Sequence, residues 1–169
     1  MLRPADAEET NVAWQMALER TDGPTALALT RQNLSVFEKA DPQWKENCRK
    51  GAYLALDCDG VPDVVVAATG SEVEMAIEAA GKSSRKVRVI SVLSRELFEE
   101  QDAGYKKALL PEGVRVVVAE AGVGTGWGGI ASSSDDILCI NRFGESGKAT
   151  EVAAHLGMTA DKLIKLIGA

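Results

Sequence analysis

Several groups of residues have the types and spacing that chemistry requires. Gly124-Thr125-Gly126-Trp127-Gly128-Gly129 follows a predicted strand and has the spacing by which backbone amides meet the phosphates of a dinucleotide. Only seven residues separate Gly129 from the next predicted strand at Ile137, fewer than the about 10–12 of a crossover with a helix. No acid ends that strand, so the segment is expected to be a tight glycine loop. Thr69-Gly70-Ser71 lies between a predicted strand and a predicted helix, where an open α/β sheet often holds an anion. The competing reading makes Ser71 a helix cap and Gly70 the sharp turn into the helix.

His155 is the single histidine, and a serine or cysteine nucleophile would have to use it as its base. No nucleophile elbow precedes it, and a place near a helix C-terminus suits the helix dipole and solvent. The paired acids Glu8-Glu9, Glu99-Glu100 and Asp135-Asp136 point to different faces as sequence neighbours, and are expected on solvated surfaces. Cys48, Cys58 and Cys139 are widely spaced and odd in number, which fits free thiols in a reducing compartment. Paired Cys or His ligands for a structural zinc are absent. Arg31 directly follows a predicted strand, 25–30, at the end where α/β strands present ligand-binding groups. Its guanidinium suits either a bidentate phosphate contact or a salt bridge in the segment that follows.

The elements that position these residues are read from periodicity. Asp6 and Glu9 have capping-box spacing, and Val12, Ala13, Met16 and Ala17 continue at helical spacing to about Glu19. Asp22-Gly23-Pro24 ends that helix, and residues 31–50 show no steady period, which reads as a linker. From Gly51 onward, apolar runs at 52–56, 64–69, 87–92, 114–119 and 137–140 alternate with helical patterns. That alternation predicts an α/β fold: three layers, with a mixed, mostly parallel sheet of about five strands flanked by helices. The short Asp57-Cys58-Asp59-Gly60 connection suggests a hairpin joining 52–56 to 64–69, with 52–56 as the antiparallel member. Ser71 and Glu74 form a second capping box, with Gly81 as the expected stop, and Thr159 caps a last helix with Ala160, Leu163, Ile164 and Ile167 buried.

With 169 residues, 46% hydrophobic, the chain can bury a core without staples. Nineteen Lys and Arg against twenty-five Asp and Glu give a net charge of −6 with no basic block, which disfavours nucleic acid. The longest apolar run, 64–68, is far short of the roughly 20 residues that span a membrane, and the first residues lack the apolar core of a signal peptide. A soluble cytoplasmic protein is the expectation.

Several segments, in order, resemble transketolase. Leu2-Arg3-Pro4-Ala5-Asp6-Ala7 with Glu9, and Asp22-Gly23-Pro24 through Ala28-Leu29-Thr30-Arg31-Gln32-Asn33-Leu34, look like the end of that family's middle, pyrimidine-binding domain. Ala68-Thr69-Gly70-Ser71-Glu72-Val73 looks like the opening of its C-terminal domain. Ser91-Val92-Leu93-Ser94-Arg95-Glu96-Leu97-Phe98, Leu110-Pro111, Glu120-Ala121-Gly122, Gly126-Trp127 and Arg142-Phe143-Gly144 continue the order. The match departs at Arg95, where an aromatic is usual, at Gly128-Gly129-Ile130, where a charged residue and a tyrosine are usual, and at Gly147-Lys148.

The resemblance implies a division into residues 1–34, a remnant of the middle domain; 35–50, a linker; and 51–169, the C-terminal domain. It implies an enzyme moving a two-carbon ketol unit between sugar phosphates with thiamine diphosphate and a divalent metal, Mg or Ca, as a homodimer. This portion would be structural, with no catalytic, cofactor or metal residue of its own and inactive alone, as a fragment or a split subunit. Arg31, in Thr-Arg-Gln, is the one substrate residue that carries over, as the family's sugar-phosphate arginine. Competing readings are a free-standing module for a small anionic ligand and the C-terminal domain of another thiamine diphosphate enzyme. If the remnant has no sheet partner, its apolar stripe should lie exposed.

Overall fold

Five short apolar runs make the frame. The computed structural model describes residues 1–168, with strands β1 (Ala52–Leu56), β2 (Val64–Ala68), β3 (Val87–Val92), β4 (Arg115–Glu120) and β5 (Ile137–Cys139). The helices are α1 (Ala7–Glu19), α2 (Trp44–Arg49), α3 (Glu72–Lys82), α4 (Arg95–Glu99), α5 (Ala103–Leu109), α6 (Ala149–Leu156) and α7 (Ala160–Gly168). The strands form one sheet in the order β1-β3-β2-β4-β5. β1 runs antiparallel to β3, and the other pairs are parallel. β1 is therefore the antiparallel member, yet no hairpin joins it to β2: β3 lies between them. The short connection crosses over β3 instead of folding back beside β1.

Side chains alternate along each strand, so each face of the sheet has its own core. Val64, Val66, Ala68, Val117 and Ala119 pack with Val73, Ala76 and Ala79 of α3 and with Leu163 and Ile167 of α7. Val65, Ala67, Val116 and Val118 pack on the other side with Phe98, Leu109 and Trp127. The two cores define the three layers, and each fully buried valine adds about 1.5–3 kcal/mol by leaving water. Gly51, at φ +100°, can only be glycine, because a Cβ there would stand 2.5 Å from the Ser94 carbonyl oxygen.

Four local expectations are corrected. Residues 25–30 form no strand; Leu27 makes only an isolated parallel bridge to Leu2, because no longer partner strand lies beside it among the described residues. Residues 35–50 include α2, whose Cys48 is buried in the first core. Ser71 adopts helical angles, φ −58° and ψ −22°, and makes no capping bond, and α3 runs past Gly81 to Lys82. The apolar stripe of α1 is covered: Val12 and Ala13 join Leu2 and Ala5 in the first core. Thr159 does cap α7, accepting from Lys162 N–H at 3.3 Å.

Candidate functional site

Open α/β sheets bind ligands beyond the carboxyl ends of strands where the connections diverge. Here that point lies between β2 and β4, since the chain leaves β2 for β3 on one side and leaves β4 for β5 on the other. Thr69-Gly70-Ser71 and Glu120-Ala121-Gly122 form its walls. Gly70 turns at φ +59°, as the sequence required.

The crevice is filled from within the chain. The Arg3 guanidinium donates to Glu120 through Nη1 and to Glu72 Oε2 through Nη2 at 3.3 Å. Ser71 Oγ donates to Glu72 Oε1 at 2.6 Å, and Gly122 N–H to Glu120 Oε1 at 2.6 Å, while Trp127 Nε1–H reaches Glu120 Oε2 at 3.2 Å. Both glutamates are 5% exposed. Burial pushes the Glu72 carboxyl above its ordinary range, with Ser71 and Arg3 pulling the other way. Two buried carboxylates around a cation make a poor receptor for an anion, so Thr69-Gly70-Ser71 is no phosphate cradle here. The signal that sequence reading missed is the charge of Glu72 at the start of α3 and Glu120 at the end of β4.

Arg31 is exposed and lies in a bend outside regular structure. It makes no hydrogen bond or ion pair among the described residues, which leaves its guanidinium free for a partner in solution. Thr30 just before it donates to the Gln32 carbonyl at 2.8 Å and tightens the turn. Leu29 and Thr30 line a shallow depression with Gly70, Ser71, Ala121 and Gly122, beside the crevice.

A third buried carboxylate, read in the sequence as a surface acid, belongs to Glu9. Asp6 caps α1 by accepting from Glu9 N–H at 2.9 Å, as the capping box predicts. The Glu9 side chain does not return to the cap: it accepts from Ala5 N–H at 2.8 Å, Tyr53 O–H at 2.7 Å and Ser91 Oγ–H at 2.6 Å. It is fully buried, and desolvation holds its carboxyl above the ordinary range despite those three donors. Glu9 shares helical spacing with Val12, Ala13 and Met16, so its place on the apolar stripe was the available signal.

The remaining candidates separate. The glycine loop is followed by turns rather than a helix and is held by Arg95, which donates to the Thr125 carbonyl at 3.1 Å and lies 5.9 Å from the Trp127 ring centroid. His155 is exposed, with Nε2 3.3 Å from Glu145 Oε1, and among the described residues it makes no hydrogen bond to a serine or cysteine. Glu99 and Glu100 are solvated as expected, but Asp136 is buried, accepting from Arg115 Nε at 2.8 Å and Ser133 Oγ at 2.9 Å. That corrects the surface reading for Asp136 as it does for Glu9. All three cysteines are free, and burial raises the Cys48 thiol well above its usual range.

The chain is a three-layer α/β domain with one antiparallel edge strand and a switch-point crevice closed by its own arginine. Residues 51–159 match the family model described as the transketolase-like TK C-terminal domain. The chain belongs to that family. It is 46% identical over 168 residues to the transketolase of Treponema pallidum, covering 99% of this chain and 25% of that protein. It is 40% identical over 166 residues to transketolase 1 of Escherichia coli, again 25% of the relative. The fold superposes on the crystal structure of Pichia stipitis transketolase in complex with sedoheptulose 7-phosphate with a TM-score of 0.88, at 34% identity over 99% of this chain and 24% of that one. The chain thus spans about a quarter of the length of the relatives it matches. No described helix is long and apolar enough to cross a membrane.

Thiamine diphosphate with a divalent ion needs a set of hard oxygen donors. Among the described residues no group of three or more His, Cys, Asp or Glu is placed to hold a metal, and Glu72 and Glu120 are committed to Arg3. The described residues do not fit that cofactor.

Proposed function

We propose that this chain acts as the C-terminal portion of a transketolase, an enzyme that moves a two-carbon ketol unit between sugar phosphates with thiamine diphosphate and a divalent metal bound by other parts of the protein. Its share of the work is to hold Arg31 where a substrate phosphate arrives. The exposed, unpartnered Arg31 guanidinium beside a tight turn is the observation that carries this reading. A guanidinium offers two parallel N–H donors to phosphate oxygens, and its charge persists at every physiological pH. The remaining assignments go with it: residues 1–34 as the end of the middle domain, 35–50 as a segment docked by α2, and 51–169 as the C-terminal domain, in a cytoplasmic homodimer.

In an enzyme containing this portion, Arg31→Ala should raise KM for phosphorylated sugars about tenfold or more, the worth of a charge-assisted bond. Unphosphorylated acceptors should change far less. Steady-state kinetics on a sugar phosphate and on the same sugar without its phosphate make the test, and equal losses on both would reject the assignment.

A further inference from the structure

The segment that carries Arg31 has few holds on the rest of the protein. Between Pro24 and Lys39, its backbone hydrogen bonds to other parts of the described chain both go to Leu2: Leu2 N–H donates to the Ala26 carbonyl at 2.8 Å, and Ala28 N–H donates to the Leu2 carbonyl at 2.9 Å. Leu27, between them, packs on the first core. Arg31 follows three residues after Ala28, and the next hold downstream is Phe37, packed on the first core, so its nearest anchor is Leu2.

Leu2 is in turn fixed by its neighbour. Arg3 N–H donates to the Leu93 carbonyl at 2.8 Å, and the Arg3 carbonyl accepts from Gly70 N–H at 3.1 Å. Its guanidinium enters the crevice between Glu72 and Glu120, on α3 and β4. The one residue is thereby tied to four elements: the segment after β3, the turn after β2, the start of α3 and the end of β4. Backbone bonds alone would leave a short extended segment free to slide or fray at this exposed edge. The two carboxylates demand a cation at one depth, which sets the register of residues 2 and 3.

We propose that Arg3 is a positioning residue: by occupying the switch-point crevice as an internal ligand, it fixes Leu2 and, through Leu2, the segment that presents Arg31 to substrate phosphate. The functional half of this statement rests on the phosphate reading of Arg31. The structural half does not. The crevice that related architectures open to a ligand is used here to hold the chain's own guanidinium, and the energy of that contact is spent on the placement of a second arginine.

Two measurements separate the halves. In the 169-residue chain, amide hydrogen exchange followed residue by residue should show Ala28 exchanging at least about tenfold faster in Arg3→Ala, with Val66 and Val117 unchanged. Glu72→Gln keeps the side-chain shape while weakening the hold on Arg3, and should give a smaller shift in the same direction, which covers the case of an Arg3→Ala chain that does not fold. Unchanged Ala28 exchange in both variants overturns the proposal.

In the full enzyme, Arg3→Ala should raise KM for a phosphorylated acceptor about fivefold, with kcat held within about twofold and the unphosphorylated acceptor nearly unaffected. Arg3→Lys should recover part of the loss. Added to Arg31→Ala, Arg3→Ala should bring no further loss specific to phosphate. Equal effects on both acceptors, or an undiminished phosphate-specific loss in the double variant, would overturn the coupling. If Arg31→Ala alone shows no preference for phosphate, the phosphate reading fails, and the Ala28 exchange result still decides whether Arg3 holds the segment.

Discussion

Glu9 and Glu72 are both buried glutamates that tie the first residues of the chain to the sheet, and they solve the cost of burial in opposite ways. Glu9 meets neutral donors only: two hydroxyls and a backbone amide. Lys39 is committed instead to Asp6 and Glu8, the neighbours of Glu9 on the first turns, and is covered by the Phe37 and Trp44 rings. Glu72 instead shares an arginine with Glu120 and keeps one hydroxyl, from Ser71. The first arrangement ties α1 to two strands through neutral hydrogen bonds, since two of its three donors, Tyr53 and Ser91, stand on β1 and β3. The second grips a residue at the edge, and a charge pair there specifies position more than it stabilises.

The largest effect that separates the two should come from Glu9→Leu. It removes every acceptor from Tyr53 O–H, Ser91 O–H and Ala5 N–H, and each orphaned donor costs about 1–3 kcal/mol. Urea unfolding should show a loss of about 3–5 kcal/mol. The triple variant with Tyr53→Phe and Ser91→Ala should recover most of it, since apolar groups of similar shape leave fewer orphans. A loss below about 1 kcal/mol for the single variant would mean that water reaches the site and that the contrast with Glu72 is false.

The second effect is on pH dependence. Both carboxyls are held above the ordinary value of 4.5, so the folded chain binds their protons more tightly than the unfolded chain does. Their contribution is complete below 4.5 and is lost as pH rises through the raised values. Relative to Glu9→Gln, the parent chain should therefore gain stability as pH falls from neutral toward 4.5. Glu72→Gln should flatten the profile less, because Arg3 already favours the charged form. Parallel stability profiles for parent and Glu9→Gln, measured by urea midpoints, would show that Glu9 titrates as an ordinary surface acid.

These two sites also mark what the sequence could convey. The five strands and the helices α1, α3 and α7 follow from period, and the antiparallel edge from the shortness of the 57–60 connection. The order of the strands does not, because periodicity fixes which residues face a core and not which strand lies beside which. The α2 helix escaped notice because six residues are too few to establish a period. Arg3 and Glu120 lie 117 positions apart, and only the folded sheet brings them together. The absence of a strand before Arg31 was not legible: 25–30 has the apolar content of a strand but only Leu2 beside it.

The smallest effect concerns Ser71, which sequence pattern assigns to a helix cap and the structure assigns to Glu72. A cap requires extended backbone so that the hydroxyl can turn back to the amides of the first turn, and Ser71 is helical at φ −58° and ψ −22°. Its hydroxyl leaves the helix and donates to Glu72 Oε1 at 2.6 Å. Ser71→Ala should therefore cost less than about 0.5 kcal/mol, against about 1 kcal/mol for Thr159→Ala, where the capping bond exists. The variant should also leave Glu72 with one donor fewer, raising its proton affinity further and steepening the gain of stability at lower pH. A loss from Ser71→Ala as large as that from Thr159→Ala, unchanged between neutral and mildly acidic pH, would return Ser71 to the helix as a cap and remove it from the groups that favour the charged form of Glu72.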